Sequence, residues 1–345
     1  MDNNFDPNGV GIANGCYFGL PIEPEDSDLI LLSYPWDVTT SYRPGASKGP
    51  QAIINASLQL DLYNSRVPKA WESKIATIEP EAEISQRNHY FRPFAKGVIE
   101  QLEKGVNPKD HDLLRLMRIV NRGCEYLNNH VYENAKKWLE TGKMVGVVGG
   151  DHSVPLGLVK ALAEKHDDFG VLQIDAHADL RKAFMGLKYS HASIMYNITQ
   201  EKSVSALIQV GIRDLCQEEI DRINKDDRIT TFMDEALKKR EFIGENWDTV
   251  SDEIIDALPE KVYISFDIDG LDPSLCPNTG TPVPGGLKYD QVIFLLRKIA
   301  EKGKKIIGFD LNEVAPGKDS EWDANVGARI LFELSLLMIT NGVKA

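Results

Sequence analysis

Three short stretches of this chain crowd acids and imidazoles together: GGDHS (149–153), DAHAD (175–179) and DIDGLD (267–272). Asp175, His177 and Asp179 fall at every second position, as do Asp267 and Asp269. Side chains of an extended segment alternate between faces, so each set is expected to point one way. His152, from the third stretch, can join them. So many carboxylates and imidazoles in one crevice cannot all stay charged without a counter-ion. A divalent cation relieves that repulsion, and this many ligands suit two cations about 3.5–4 Å apart, sharing bridging carboxylates, better than one. The donors are oxygen-rich with imidazole and no thiolate, which fits Mn²⁺ and leaves Ni²⁺, Fe²⁺ and Co²⁺ open. Taken singly, an Asp at a strand end is usually a turn former or helix cap. It is the joint pattern that carries the metal reading.

The elements that would position these groups can be read from the flanking residues. Apolar runs too short for helices recur at 29–35, 145–150, 169–174, 206–212, 262–268 and 305–311. Their near-continuous hydrophobicity predicts strands buried on both faces of a parallel sheet. Helical patterns lie between them: 112–140 with apolar residues every three or four positions, 153–165 with Ser153 as N-cap, and 289–303 ending at Gly303. The first thirty or so residues and 64–95 are the least regular parts. Strands alternating with helices predict an α/β fold with a covered parallel sheet, whose active site forms beyond the carboxyl ends of the strands. No linker divides the chain. The expected organisation is an N-terminal extension, 1–28, and a single catalytic domain, 29–345.

With 345 residues, 42% hydrophobic and 26% charged, the composition is that of a soluble protein with material for a large core. The formal net charge of −13 argues against a nucleic-acid or anionic-membrane partner and is compatible with a small cationic substrate. Cys16, Cys124, Cys216 and Cys276 form no CxxC pair and read as reduced packing residues. The polar N-terminus is unlike a signal peptide and no stretch approaches the ~20 apolar residues of a membrane span, so a cytoplasmic location is expected.

The chain resembles the ureohydrolases, the family of arginases and agmatinases, and is closest to the agmatinases. The resemblance rests on GGDHSVPLG (149–157), DAHADLR (175–181), SFDIDGLDPSLCPNTGTPVPGGL (265–287) and GFDLNEVAP (308–316), with a weaker match at SYRPGASKGPQAI (41–53). It implies an arginase-like single three-layer α/β/α domain with a mainly parallel central sheet, assembled as a homotrimer or homohexamer. It also implies two Mn²⁺ ions held by His152, Asp175, His177, Asp179, Asp267 and Asp269. Asp175 and Asp267 would bridge the ions, His152 and Asp179 would complete one site, and His177 and Asp269 the other. Asp179 would also orient the nucleophile. Glu313 matches the position that pairs with the guanidinium, and a carboxylate facing a planar fork of N–H donors is the strong geometry for that task. His191, in KYSHASIM (188–195), matches the histidine that protonates the leaving amine, a role calling for a pKa near the working pH. TGTPVPGG (279–286) would shape the site wall.

Within the family, LRKAFMGLKYSHAS (180–193) lacks the Ser and Asn pattern with which arginases hold the amino-acid end of arginine. That favours agmatine, cleaved to putrescine and urea. The loop 315–330, with Trp322 and Asp323, departs from many agmatinases. It keeps guanidine, guanidinobutyrate, guanidinopropionate and arginine as alternatives, with formiminoglutamate behind them. A non-catalytic metal-binding homologue is the reading from another class; it would be favoured by loss of a ligand, Glu313 or His191, and none is lost.

Overall fold

The computed structural model describes residues 6–342. Its centre is one eight-stranded sheet whose neighbouring strands all run parallel. The strands are β1 (Leu29–Ser33), β2 (Ile75–Ile78), β3 (Met144–Val148), β4 (Phe169–Ile174), β5 (Val204–Ile212), β6 (Ile229–Met233), β7 (Lys261–Asp267) and β8 (Lys305–Asn312). Their order across the sheet is β2-β1-β3-β8-β7-β4-β5-β6.

Alternation along each strand divides the core in two. Leu29, Leu31, Leu172, Ile174, Ile264 and Phe266 face one layer. Ile30, Leu32, Val145, Val147, Val171 and Tyr263 face the other. Against the first layer pack α1 (Gly49–Ser57), α7 (Asp234–Phe242), α8 (Trp247–Asp256), α9 (Tyr289–Glu301) and α10 (Trp322–Asn341). Against the second pack α2 (Ala82–Glu103), α3 (His111–Glu140), α4 (Leu156–Ala163) and α5 (Ile194–Ile198), with α6 (Gln217–Ile223) at the margin. This is the expected three-layer α/β/α arrangement.

Six strands follow the apolar runs. β2 and β6 do not announce themselves, because they are the two sheet edges. β6 is buried at only one of its five residues, so ITTFM carries no continuous hydrophobic signal. The expectation of an irregular segment across 64–95 is corrected at β2 and again from residue 82 onward, where α2 begins. Pro93 lies inside α2, which masks the helical pattern in sequence. Ile84, Phe91, Ala95 and Val98 nonetheless form a buried stripe against α3. Ser153 is also corrected: α4 starts at Leu156 with Pro155 at its N-cap, and the Ser153 hydroxyl bonds to Asp151 instead. Gly303 does follow the end of α9 in the left-handed region, at φ 76°.

Part of the N-terminal extension is stitched into the domain. Tyr17, Phe18 and Leu20 are buried in the first core layer. The Tyr17 hydroxyl lies 2.8 Å from Ser33 Oγ, and the Phe18 ring sits 5.0 Å from that of Phe332.

α3 and α4 approach so closely that a Cβ on Gly157 would lie 2.4 Å from the carbonyl oxygen of Asn128. Backbone cannot yield cheaply there, so Gly157→Ala is expected to cost about 1–3 kcal/mol of stability. Urea denaturation of the variant measures it, and an unchanged midpoint would mean that the two helices are not in this contact.

Candidate metal centre and catalytic cavity

The chemistry-bearing residues lie at the carboxyl ends of three neighbouring strands, β8, β7 and β4, and in the loop after β3. Asp175 directly follows β4 and Asp267 closes β7. Convergence is as the sequence predicts, but by a different route. Strand alternation does not continue past Asp175. Asp269 is brought in by a short 3₁₀ turn, Ile268–Gly270, and Asp179 by a left-handed backbone at φ 54°. Glu313, the residue after β8, is likewise left-handed at φ 61°. Such a conformation costs a non-glycine residue about 1–2 kcal/mol and persists only where surroundings enforce it. Here they do: the Tyr196 N–H donates to the Asp179 carbonyl, and Glu313 is pinned through its N–H to Gly150 and its carbonyl to Thr279.

His152 is the hub. Its Nδ1 lies 3.0 Å from Asp175, 3.1 Å from Asp179 and 3.3 Å from Asp267, yet makes no hydrogen bond to any of them. A buried imidazole nitrogen facing three carboxylates unbonded is the environment of a cation ligand. Its other nitrogen, Nε2, lies 2.9 Å from the Ser265 hydroxyl, which donates to Asp310 at 3.1 Å. Ser265 then accepts from Nε2–H, leaving the Nδ1 lone pair toward the carboxylates.

Two groups of ligand atoms lie within 4.8 Å of one another: His152, Asp175 and Asp267, and Asp175, His177 and Asp269. Asp175 belongs to both, one oxygen toward His152 and the other toward His177, and is held by Gln173 Nε2 at 2.8 Å and by the His177 N–H at 2.6 Å. Asp267 belongs to the first group only, with His152 and Asp175; its Oδ1 accepts the Asp269 N–H at 2.8 Å. Asp179 joins through His152 alone. All six residues anticipated from sequence thus come together, with Asp175 as the shared carboxylate.

Burial pushes Asp267 well above the usual carboxylate range, reinforced by Asp269 and Asp175. Burial and Asp175 push Asp179 up to about 7. Burial opposes charge on His152 and His177 too, but the carboxylates around them prevail and raise both. Asp175 alone moves down, because its two imidazole neighbours outweigh its burial. Glu313 is raised by burial and by Asp151. Its Oε1 accepts the His152 N–H at 2.9 Å, while Oε2 is buried without a partner.

Beside the carboxylates is a cavity of about 140 Å³ lined by His177, Asp179, His191, Asp214, Glu219 and Thr281, among others. His191 opens the 3₁₀ turn His191–Ser193 and lies between Thr39 and Ser41. Burial, then the charges on His177 and His152, holds it down to about 3. It is therefore neutral at neutral pH, where the sequence reading asked for an acid poised near the working pH. Arg181 and Phe184 form a wall common to this cavity and to an outer one of about 740 Å³.

The Arginase family model matches residues 27–337. The chain belongs to the arginase family. It is 34% identical to the N(1)-aminopropylagmatine ureohydrolase of Thermus thermophilus, over 85% of this chain and 84% of that one. It is 30% identical to the agmatinase of Sodalis glossinidius, over 98% and 96%. Among solved structures it is similar to the proclavaminate amidino hydrolase of Streptomyces clavuligerus, with a TM-score of 0.72 at 25% identity, covering 96% and 99% of the two chains. The agmatine ureohydrolase of Thermoplasma volcanium shares the fold, with a TM-score of 0.71 at 23% identity over 95% and 96%.

Seen from this arginase-family fold, sequence reading missed the groups that hold the converging acids and imidazoles. Asp310, Ser265, Gln173, Gln209 and Thr231 stand in register on five adjacent strands, β8 to β6. Gln209 bridges Gln173 and the Ala178 carbonyl, and Thr231 donates to Gln209. For Gln173 and Gln209 the signal was a lone polar residue in an apolar run, and for Ser265 and Asp310 a polar residue set inside one. Thr39 gave no such signal, and Asp151, though part of GGDHS, had no role read for it. The 3.9 Å approach of His177 Nε2 to Asp214 was also unforeseen.

The raised carboxylates make metal-stripped protein sensitive to alkali. Between about pH 4 and about pH 7, Asp179 keeps a proton that the unfolded chain has released, so stability falls as pH rises. Asp267 acts in the same direction. The raised imidazoles of His152 and His177 add stability that is full below about pH 6.5 and is lost above it. Asp175, depressed, contributes throughout that window. The Tm of metal-stripped protein should therefore fall from about pH 5 to about pH 8, and saturating Mn²⁺ should flatten the slope. A slope indifferent to Mn²⁺ would separate the acid cluster from metal binding.

Proposed function

We propose that this arginase-family protein hydrolyses a linear guanidino amine, agmatine in first place, to urea and the free amine. The observation that carries this reading is the acidic crowding at one buried point: two ligand groups sharing Asp175, with the unpartnered Oε2 of Glu313 nearby. Their oxygen and imidazole donors fit two divalent cations, Mn²⁺ first, with Ni²⁺, Co²⁺ and Fe²⁺ as alternatives. When bound, the cation pair supplies hydroxide from water near neutral pH, which a poor electrophile such as a guanidinium carbon needs.

The remaining work falls to side chains of this chain. Glu313 presents Oε2 to the guanidinium N–H groups and fixes the carbon's position, while its Oε1 stays on the His152 backbone. Asp179 accepts a hydrogen bond that orients the attacking oxygen. Attack on the carbon and cleavage of the C–N bond release urea, and the leaving nitrogen takes a proton. His191, neutral in its buried place, relays that proton rather than storing it.

The cavity wall favours a cationic tail. Asp179, Asp214 and Glu219 line it, and Arg181, the one arginine or lysine among its described lining residues, is 3.4 Å from Glu219. A second reading, N(1)-aminopropylagmatine, is favoured by the 34% identity to the Thermus enzyme. Geometry speaks for the shorter substrate. Beyond Phe184 the outer cavity sets Lys160, Lys182 and Lys188 against Glu201 and Glu218, a poor match for a further ammonium.

Asp267→Ala should lose at least one Mn²⁺ equivalent by metal analysis and nearly all urea release; full metal content would remove it from the ligand set. Glu313→Gln should keep its metal and lose roughly 100-fold or more in turnover, comparable to deleting a transition-state contact. Unchanged turnover would withdraw its assigned role. The substrate is tested by urea release from agmatine, N(1)-aminopropylagmatine, arginine, guanidinobutyrate, guanidinopropionate and guanidine, each with Mn²⁺ and with Ni²⁺. Agmatine should give the highest kcat/KM, and a preference for guanidinobutyrate or guanidinopropionate would contradict the cationic-tail reading.

A further inference from the structure

The Thr39 hydroxyl, in the loop after β1, is fully committed. It donates to Asp151 Oδ2 at 2.8 Å, and the Thr39 backbone N–H donates to the same oxygen at 3.0 Å. Asp151 is buried, and its other oxygen takes the N–H and hydroxyl of Ser153. Both carboxylate oxygens are thus acceptors, and the Thr39 proton has one destination.

What Thr39 Oγ1 still offers is lone pairs, and they face His191. The oxygen accepts the His191 backbone N–H at 3.0 Å and lies 3.3 Å from ring Nδ1. An oxygen with no proton to give repels an unprotonated nitrogen and accepts from a protonated one. The opposite nitrogen, Nε2, lies 3.3 Å from the hydroxyl of Ser41, a residue of the cavity wall. Ser190 Oγ, 3.4 Å from Nδ1, can turn its proton either way and so does not decide the matter.

The loop cannot easily swing aside. Arg92 of α2 donates to the carbonyls of Val38 and Thr40 at 2.9 and 2.6 Å. Asp37 accepts from the Gly45 and Ser47 N–H groups and from Asn88.

We propose that Thr39, backed by Asp151, is a positioning residue that fixes His191 as its Nδ1–H tautomer and turns the Nε2 lone pair to the catalytic cavity. The inference rests on the proton-relay role of His191 given above. Nε2 takes the proton of the added hydroxyl as its O–H bond breaks and the urea C=O forms, and passes it to the leaving nitrogen as the C–N bond breaks. The imidazole ends as it began, Nδ1 protonated throughout.

The test is ¹⁵N NMR of histidine-labelled protein loaded with diamagnetic Zn²⁺, with the His191 signal assigned by its loss in His191→Gln. Wild type and Thr39→Ser should show Nδ1 protonated and Nε2 bare. Thr39→Val should show a mixed or inverted tautomer. With Mn²⁺ and agmatine it should lose roughly 10- to 100-fold in kcat, the scale of losing a partner that orients a ligand histidine, with little change in KM. Thr39→Ser should recover most of that loss. Nε2 protonated in wild type, or Thr39→Val with tautomer and kcat unchanged, would overturn the proposal. Should agmatine prove not to be the substrate, the wild-type spectrum still decides the tautomer, even if Thr39→Val folds poorly.

Discussion

Like charges held together in a dry place are the constraint around which this molecule is built. Asp175, Asp179, Asp267 and Asp269 are all buried and converge on His152 and His177. No folded chain tolerates such a cluster for its own stability, since each carboxylate raises the cost of ionising the next. The arrangement is coherent if the cluster exists to hold positive charge. It also explains the two left-handed residues beside it, Asp179 and Glu313, whose strain is borne where their side chains must reach inward.

The parallel sheet supplies the place, and a polar row beneath the site supplies the grip. A row of polar residues in register, Asp310, Ser265, Gln173, Gln209 and Thr231, crosses five strands where apolar side chains would otherwise sit. Ser265 reaches the ring of His152 and Gln173 reaches the carboxylate of Asp175. Tyr263 adds a 2.6 Å bond to Asp310 from the same interior. Buried polar networks of this kind are costly when half satisfied and rigidifying when complete. Here they convert sheet register into ligand orientation.

Sequence made the central strands and the acids and imidazoles that converge at their ends legible for a physical reason. Strands buried on both faces must be apolar throughout, so polar residues at their ends stand out. The edge strands β2 and β6 were silent because partial exposure permits mixed residues. α2 was obscured by its internal Pro93, although its buried stripe keeps helical spacing. The means by which Asp179 and Asp269 turn inward could not be read from alternation, because backbone twists and 3₁₀ turns leave no period of two. The partnership of Thr39 with Asp151 was invisible for a different reason: it spans 112 residues, so the GGDHS stretch shows the acid but not what it holds. The neutral state of His191 follows from burial in a cavity that only the folded chain creates.

Two cations held by the two groups that meet at Asp175 would share its carboxylate. Electron paramagnetic resonance of metal-stripped protein titrated with Mn²⁺ reads that closeness directly. Uptake of two equivalents with a spectrum dominated by an exchange-coupled pair is the predicted result. Saturation at one equivalent, or the hyperfine pattern of isolated ions at every loading, would contradict it.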